Sequence, residues 1–165
     1  MAIEIGQKIH DKLITDLSAL TFETGGGTLF GNVKKFYATG TMAGRDCLIV
    51  PDSNDETVVG QSAGNTQTTR EYGFKAVTIE VLEASDTDAI GAMKYSRLIN
   101  IQDVLLNYLQ KEPSNLNAWG NTNGISIYKI RVRPVRWDTQ ASESGYVALM
   151  EISFGVYLNI IPQNL

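Results

Sequence analysis

The sequence has almost none of the residues from which catalytic and metal sites are built: one cysteine, Cys47, and one histidine, His10, in 165 residues. A lone cysteine excludes an intrachain disulfide, and one histidine beside it cannot complete the ligand set of a zinc module. A basic excess is missing too, since 14 Lys and Arg face 18 Asp and Glu, for a net charge of −4. That balance argues against a protein whose main task is to wrap nucleic acid and leaves a basic protein partner open. No apolar run approaches the roughly 20 residues of a bilayer span. Glu4, Lys8 and Asp11 interrupt the stretch where a signal peptide needs unbroken apolar residues, so a protein folded in the cytoplasm, with no membrane partner, is expected. Prolines number only 4 and the 15 glycines are dispersed, which disfavours a collagenous or disordered chain. What remains, 43% hydrophobic residues over this length, suits one core, so 1–165 is expected to be a single domain.

Apolar periodicity orders that domain. Ile5, Ile9, Leu13, Leu17 and Leu20 recur at helical spacing and predict an amphipathic first helix ending before Gly25-Gly26-Gly27. That triplet is a tight connection and not a phosphate loop, because a helix precedes it and no Lys-Ser or Lys-Thr pair closes it. Extended segments at Leu29–Tyr37 and Asp46–Val50 are expected to pair as a hairpin, with Cys47 a small buried hydrophobe. Residues 52–69 form a long polar surface loop, Asp52 to Thr69, of a length that is usually functional in a compact domain. Asp52, Asn54 and Glu56 begin like a calcium loop, but Thr57 stands where glycine is required. Arg70–Glu83 reads as a strand with a bulge or two buried faces. A second helix, capped by Asp86 or Asp88, runs toward Lys111 through Leu98, Ile101, Leu105 and Tyr108. After a loop containing Trp119, Gly120 and Gly124, strands over Ile125–Trp137 and Gly145–Ile160 make a long hairpin joined by Asp138–Ser144, with Pro134 confining the first of them to an edge or bulge. In the last strand Tyr146, Ala148, Met150, Ile152, Phe154, Val156 and Leu158 share one parity, opposite Glu151, Ser153 and Asn159. The fold class expected is α+β: a mainly antiparallel sheet of about four to five strands flanked by two helices, with a long terminal hairpin.

Site chemistry is thin. His10 has no carboxylate one helical turn away and is expected at the surface. No Gly-x-Ser-x-Gly elbow occurs, and Asp86 and Asp88 are better explained by capping than by acid and base roles, so an enzyme is not expected and no cofactor is implied. Lys129, Arg131 and Arg133 alternate onto one strand face with Arg136 nearby, the one basic cluster of the chain. Contact with phosphate is one reading. A solvated face, or pairing with Glu143, Glu151 or a neighbouring subunit, is preferred because no aromatic residue interleaves with the cations.

The order of elements, together with Leu29-Phe30-Gly31-Asn32-Val33, Cys47-Leu48-Ile49-Val50-Pro51, Phe74–Val81 and the hairpin strand Tyr146–Leu158, resembles the tail terminator proteins of long-tailed double-stranded DNA phages. The resemblance implies a virion protein, made in the host cytoplasm, that forms a hexameric ring on the tail tube and ends its polymerisation. It implies contact with the tail-tube protein and with a head–tail connector or stopper, while DNA crosses the lumen without specific binding. A closed ring needs two different matching patches on each subunit. The loop after Asp52, larger than the family leads one to expect, and the terminal hairpin are the candidates, with Asp52, Asp55, Glu56, Arg70, Lys129, Arg131, Arg133 and Glu151 as contact residues. A head-closure or neck protein of the same particle, and a cytoplasmic protein-binding module, are the alternatives.

Overall fold

The computed structural model describes residues 5–37, 41–52, 68–111, 115–123 and 125–160. Helix α1, Ile5–Ser18, buries Ile5, Ile9, Leu13 and Leu17, the stripe expected from its spacing. His10 is buried as well, which corrects its expected surface position. One residue past Ile9 it lies only about 100° round the helix and stays on the margin of the buried arc. Its Nε2–H donates to the Ile49 carbonyl at 2.7 Å, and its ring centroid lies 5.4 Å from that of Phe74. The chain then turns through Gly25 and Gly27, both at positive φ (81° and 82°), and brings Leu29 N back to Leu20 O at 2.7 Å.

Strands β1, Val33–Lys34, and β2, Cys47–Pro51, pair in parallel and not as the expected hairpin. The connection 35–46 is long enough for the dozen or so residues that a parallel crossover requires. It ends in a turn where Arg45 adopts φ 69°, held by Arg45 N to Ile79 O and Nη2 to Thr28 O, both 2.8 Å. Strand β3 spans Thr68–Glu83, so Thr68 and Thr69 belong to the sheet and not to a loop; 53–67, with Asp55 and Glu56, lie outside the described residues. Helix α2 covers Asp88–Gln110 and is capped by Thr87, whose Oγ1 accepts from Ile90 N, in place of the expected aspartates. Asp86 instead accepts from Glu83 N and from Lys94 Nζ. Around Trp119, where a loop was expected, a short helix α3 occupies Asn115–Thr122 and buries Leu116 and Gly120.

Strands β4, Ser126–Val132, and β5, Arg136–Ser142, both pair antiparallel with β6, Gly145–Ile160, and are separated at Arg133-Pro134-Val135 as the proline requires. The turn of the β5–β6 hairpin is only Glu143-Ser144, shorter than the expected connector. Nor does this hairpin project as a free two-stranded arm. Strand β3 accompanies β6 from Thr68↔Ile160 to Glu83↔Gly145 without a register shift, so β3 has no bulge. Among the described residues the sheet is therefore six-stranded, ordered β1-β2-β3-β6-β4 with β5 also on β6, and the fold is α+β with three helices and a mostly antiparallel sheet.

All three helices lie on one side of it. The core joins α1 and α2 to Cys47, Ile49, Phe74, Ala76, Met150, Ile152, Phe154 and Val156, which share one face by register. Glu80 sits on this face, 1% exposed, and accepts a bidentate pair from Arg97 of α2 at 2.6 and 2.8 Å. Removing the guanidinium strands a buried charge, so Arg97→Met should lower unfolding free energy by about 3–5 kcal/mol in urea titration. A second link runs from Tyr108 Oη of α2 to Asp16 Oδ2 of α1 at 2.7 Å. Burial, then this hydrogen bond and the Asp16 charge, raise the Tyr108 pKa, so the folded protein keeps the phenol protonated where the unfolded chain ionises it. That stabilisation is full below about pH 10 and is lost as pH rises through the folded value. Tyr108→Phe should flatten the fall of the urea midpoint above pH 10.

Candidate interaction surface on the open sheet face

The opposite side of the sheet contributes nothing to the helix-side core. Its residues follow from the register of β2, β3, β6 and the β4/β5 edge. Toward the hairpin tip β2, β3 and β6 contribute apolar residues, Leu48 beside Val77, Ile79 beside Leu149 and Val81 beside Val147, while Arg136, Asp138 and Gln140 of β5 close these rows. A charged belt overlaps their lower edge, where Glu151, directly beside Val77, forms ion pairs with Lys75 at 3.8 Å and Arg136 at 3.9 Å. Beyond it Gly73 faces Gly155, and Arg131 flanks the pair; the last row sets Glu71 beside Tyr157 and Lys129.

The two glycines make a notch. A Cβ on Gly155 would stand 2.1 Å from Glu71 Oε1, so only glycine lets this carboxylate lie over the strand. Both Glu71 oxygens are covered and have no hydrogen-bond partner among the described residues. Beside the notch the register shifts between Ile127 and Lys129, leaving Tyr128 as a bulged residue. A bulge re-aims its side chain. Tyr128 thereby comes 6.3 Å from Tyr157, ring to ring, while Lys129 Nζ lies 5.9 Å from the Tyr157 centroid. The side chains of Arg131 and Arg133 have no hydrogen bond or ion pair among the described residues.

Of the residues expected at a contact surface, Lys129, Arg131, Arg133 and Glu151 do share this face. Arg70 falls on the helix side by its parity, where its Nη1 lies 3.5 Å from Tyr72 Oη. Asp52 closes the edge of the sheet through its backbone N–H to Gly73 O at 2.9 Å. The pairing expected for the basic cluster is corrected in part: Glu151 is taken by Lys75 and Arg136, and Glu143 stands in the exposed hairpin turn. Also corrected is the expectation that no aromatic interleaves with the cations. Tyr128 and Tyr157 do so, and only the bulge and the neighbouring strand bring them there. Glu71 and Lys75 were likewise missed, because their place on this face depends on strand register. A glycine inside the otherwise apolar run of β6, Gly155, was the one sequence signal of a close approach.

Two open cavities lie on the helix side. One of about 450 Å³ is lined by Phe22, Glu23, Asn100, Asp103 and Asn107, and one of about 370 Å³ by Gln7, His10, Lys35 and Tyr72. No metal-binding group of three or more His, Cys, Asp or Glu occurs among the described residues, nor a helix long and apolar enough to cross a membrane. Cys47 is fully buried, and burial followed by the nearby Asp46 charge pushes its thiol pKa up. Because the thiolate is the reactive form, Cys47 should resist a thiol reagent at pH 8 in the native protein and react stoichiometrically in urea. Neither a protein-family model nor a curated protein sequence matches this chain, and the resemblance to tail terminators rests on element order and apolar positions.

Proposed function

We propose that this chain is a non-enzymatic structural subunit of the tail terminator type. Six copies close into a ring on the end of a phage tail tube, halt its polymerisation and present the joint to the head connector. The observation that carries this reading is the open sheet face. Leu48, Val77, Ile79, Val81, Val147 and Leu149 form a half-buried apolar band outside the helix-side core, with Ile79 only 8% exposed and Asp138 and Gln140 of β5 at its border, on the face the helices do not pack against. Such a band is stabilised when a partner covers it, at about 25 cal/mol per Å² of apolar surface removed from water.

A closed ring requires a second, different patch for the first to meet. The outer side of α2 and the β5–β6 hairpin offer one, where Ile90, Met93, Trp137 and Tyr146 are 40, 55, 42 and 57% exposed. The function is then one of contact geometry, and the side chains on both patches need only fit and exclude water.

Light scattering on the purified protein, alone and with assembled tail tubes, tests this together with negative-stain imaging of tube ends. A six-subunit mass, or density at one end of each tube, is the expected result. Leu149→Lys, placed on the open face away from the core, should leave the thermal melt nearly unchanged and abolish ring or cap. A chain that stays monomeric and never meets tubes overturns the proposal, and one that holds only the portal-side connector is a neck protein instead.

A further inference from the structure

We propose that the β4 end of the open sheet face binds single-stranded nucleic acid, with Lys129, Arg131 and Arg133 along the phosphates and Tyr128 under a base. Lys129 and Arg131 occupy alternate positions of the edge strand β4 and Arg133 follows just past its end, where its N–H donates to Ser153 O at 2.9 Å; the three, about 7 Å apart, are set on the same side as Tyr157, Gly155 and Ser153. A charged ladder along an edge can follow a polyanionic backbone.

Local charge, and not the net −4 of the chain, decides what this strip attracts. No acidic residue occurs between Glu112 and Asp138. Of the carboxylates on the face, Glu151 forms ion pairs with Lys75 and Arg136, Asp138 accepts from Thr139 N and Gln140 Nε2, and Glu71 lies over Gly155 with neither oxygen exposed. Lys129 rests on the Tyr157 ring, whereas Arg131 and Arg133 have no carboxylate partner among the described residues.

The bulge supplies the second half of the argument. A regular strand would alternate Tyr128 to the side away from Lys129; the register shift instead sets its ring against Tyr157 and leaves Tyr128 48% exposed. Cations alone would suit an acidic protein as well; the exposed ring beside them adds a stacking platform of the kind that unpaired bases use. A duplex keeps its bases stacked inside, so an exposed aromatic beside a cation ladder suits an unpaired base. Binding of this kind is independent of sequence and of ring formation, and a monomer carries the whole site.

Fluorescence anisotropy with a labelled thymidine oligonucleotide of about 20 nucleotides tests it, read between about 50 and 200 mM salt. Three phosphate contacts predict a slope of log affinity against log salt of about −2, falling to about −0.7 in the Arg131→Ala, Arg133→Ala double variant. Tyr128→Ala should weaken binding roughly 5- to 100-fold with the slope unchanged. The same oligonucleotide as a duplex should bind more weakly than the single strand. Absence of binding at 50 mM salt, affinity that ignores all three substitutions, or polyglutamate binding that equals the oligonucleotide's would overturn the proposal.

Discussion

Strands β3 and β6 hold each other through sixteen consecutive pairs; β2 joins the free edge of β3 and carries β1, while β4 and β5 join the free edge of β6. The register of this one ladder decides which side chains face the helices. A slip by one residue would exchange Phe74, Ala76, Met150, Ile152 and Phe154 for Lys75, Val77, Glu151 and Ser153, moving the whole core to the wrong side. At the tip, the ladder ends on Gly145, where a Cβ would stand 2.0 Å from Leu82 O. Glycine there lets the β5–β6 turn close against β3, and Ala84 N donates to Ser144 O at 2.8 Å to seal it.

The polar residues inside the core are consequences of the same ladder. Thr78 and Glu80 continue the buried parity of Phe74 and Ala76, so the sheet must bury a hydroxyl and a carboxylate. Each is satisfied by an element arriving from elsewhere: Thr78 Oγ1 donates to Asp46 O at 2.9 Å, and Glu80 takes the Arg97 fork. Asp46 in turn accepts Asn32 Nδ2 and Ala43 N. Buried polar groups of this sort tolerate only one arrangement of their partners, so they fix how α2 and the β1–β2 crossover sit on a sheet that apolar contact alone would leave free to slide.

How much of this is legible in the sequence depends on whether the signal is local. The α1 stripe and the strict alternation of β6 are local patterns, and both elements appear where those patterns put them. Parallel pairing of β1 with β2, the third helix over Asn115–Thr122 and the capping role of Thr87 are decided by tertiary contacts or by competing turn chemistry. Leu116 and Gly120, for instance, are buried against β4, in a segment whose asparagines and glycines suggest a loop. The surface divides in the same way. Lys129, Arg131 and Arg133 are visible as an alternating set, whereas Tyr128 joins them only through a one-residue register shift that no periodicity reveals.

A sheet with helices on one side has to account for its other side, and here that side is not uniform. Its hairpin half carries the apolar residues of β2, β3 and β6 with Asp138 and Gln140 at the β5 edge, its β4 half is cationic, and the ion pairs of Glu151 with Lys75 and Arg136 overlap both. Apolar burial favours a close, dry protein contact, while cations with an exposed tyrosine favour a ligand that keeps its own hydration and charge. The two demands meet only at those ion pairs, because covering Ile79, Val81, Val147 and Leu149 need not desolvate Lys129 or Arg131, which lie beyond them. One face can thus pack against a neighbouring subunit and still present its basic edge. The two halves are separable by substitution, since no described side-chain contact joins Leu149 to Tyr128.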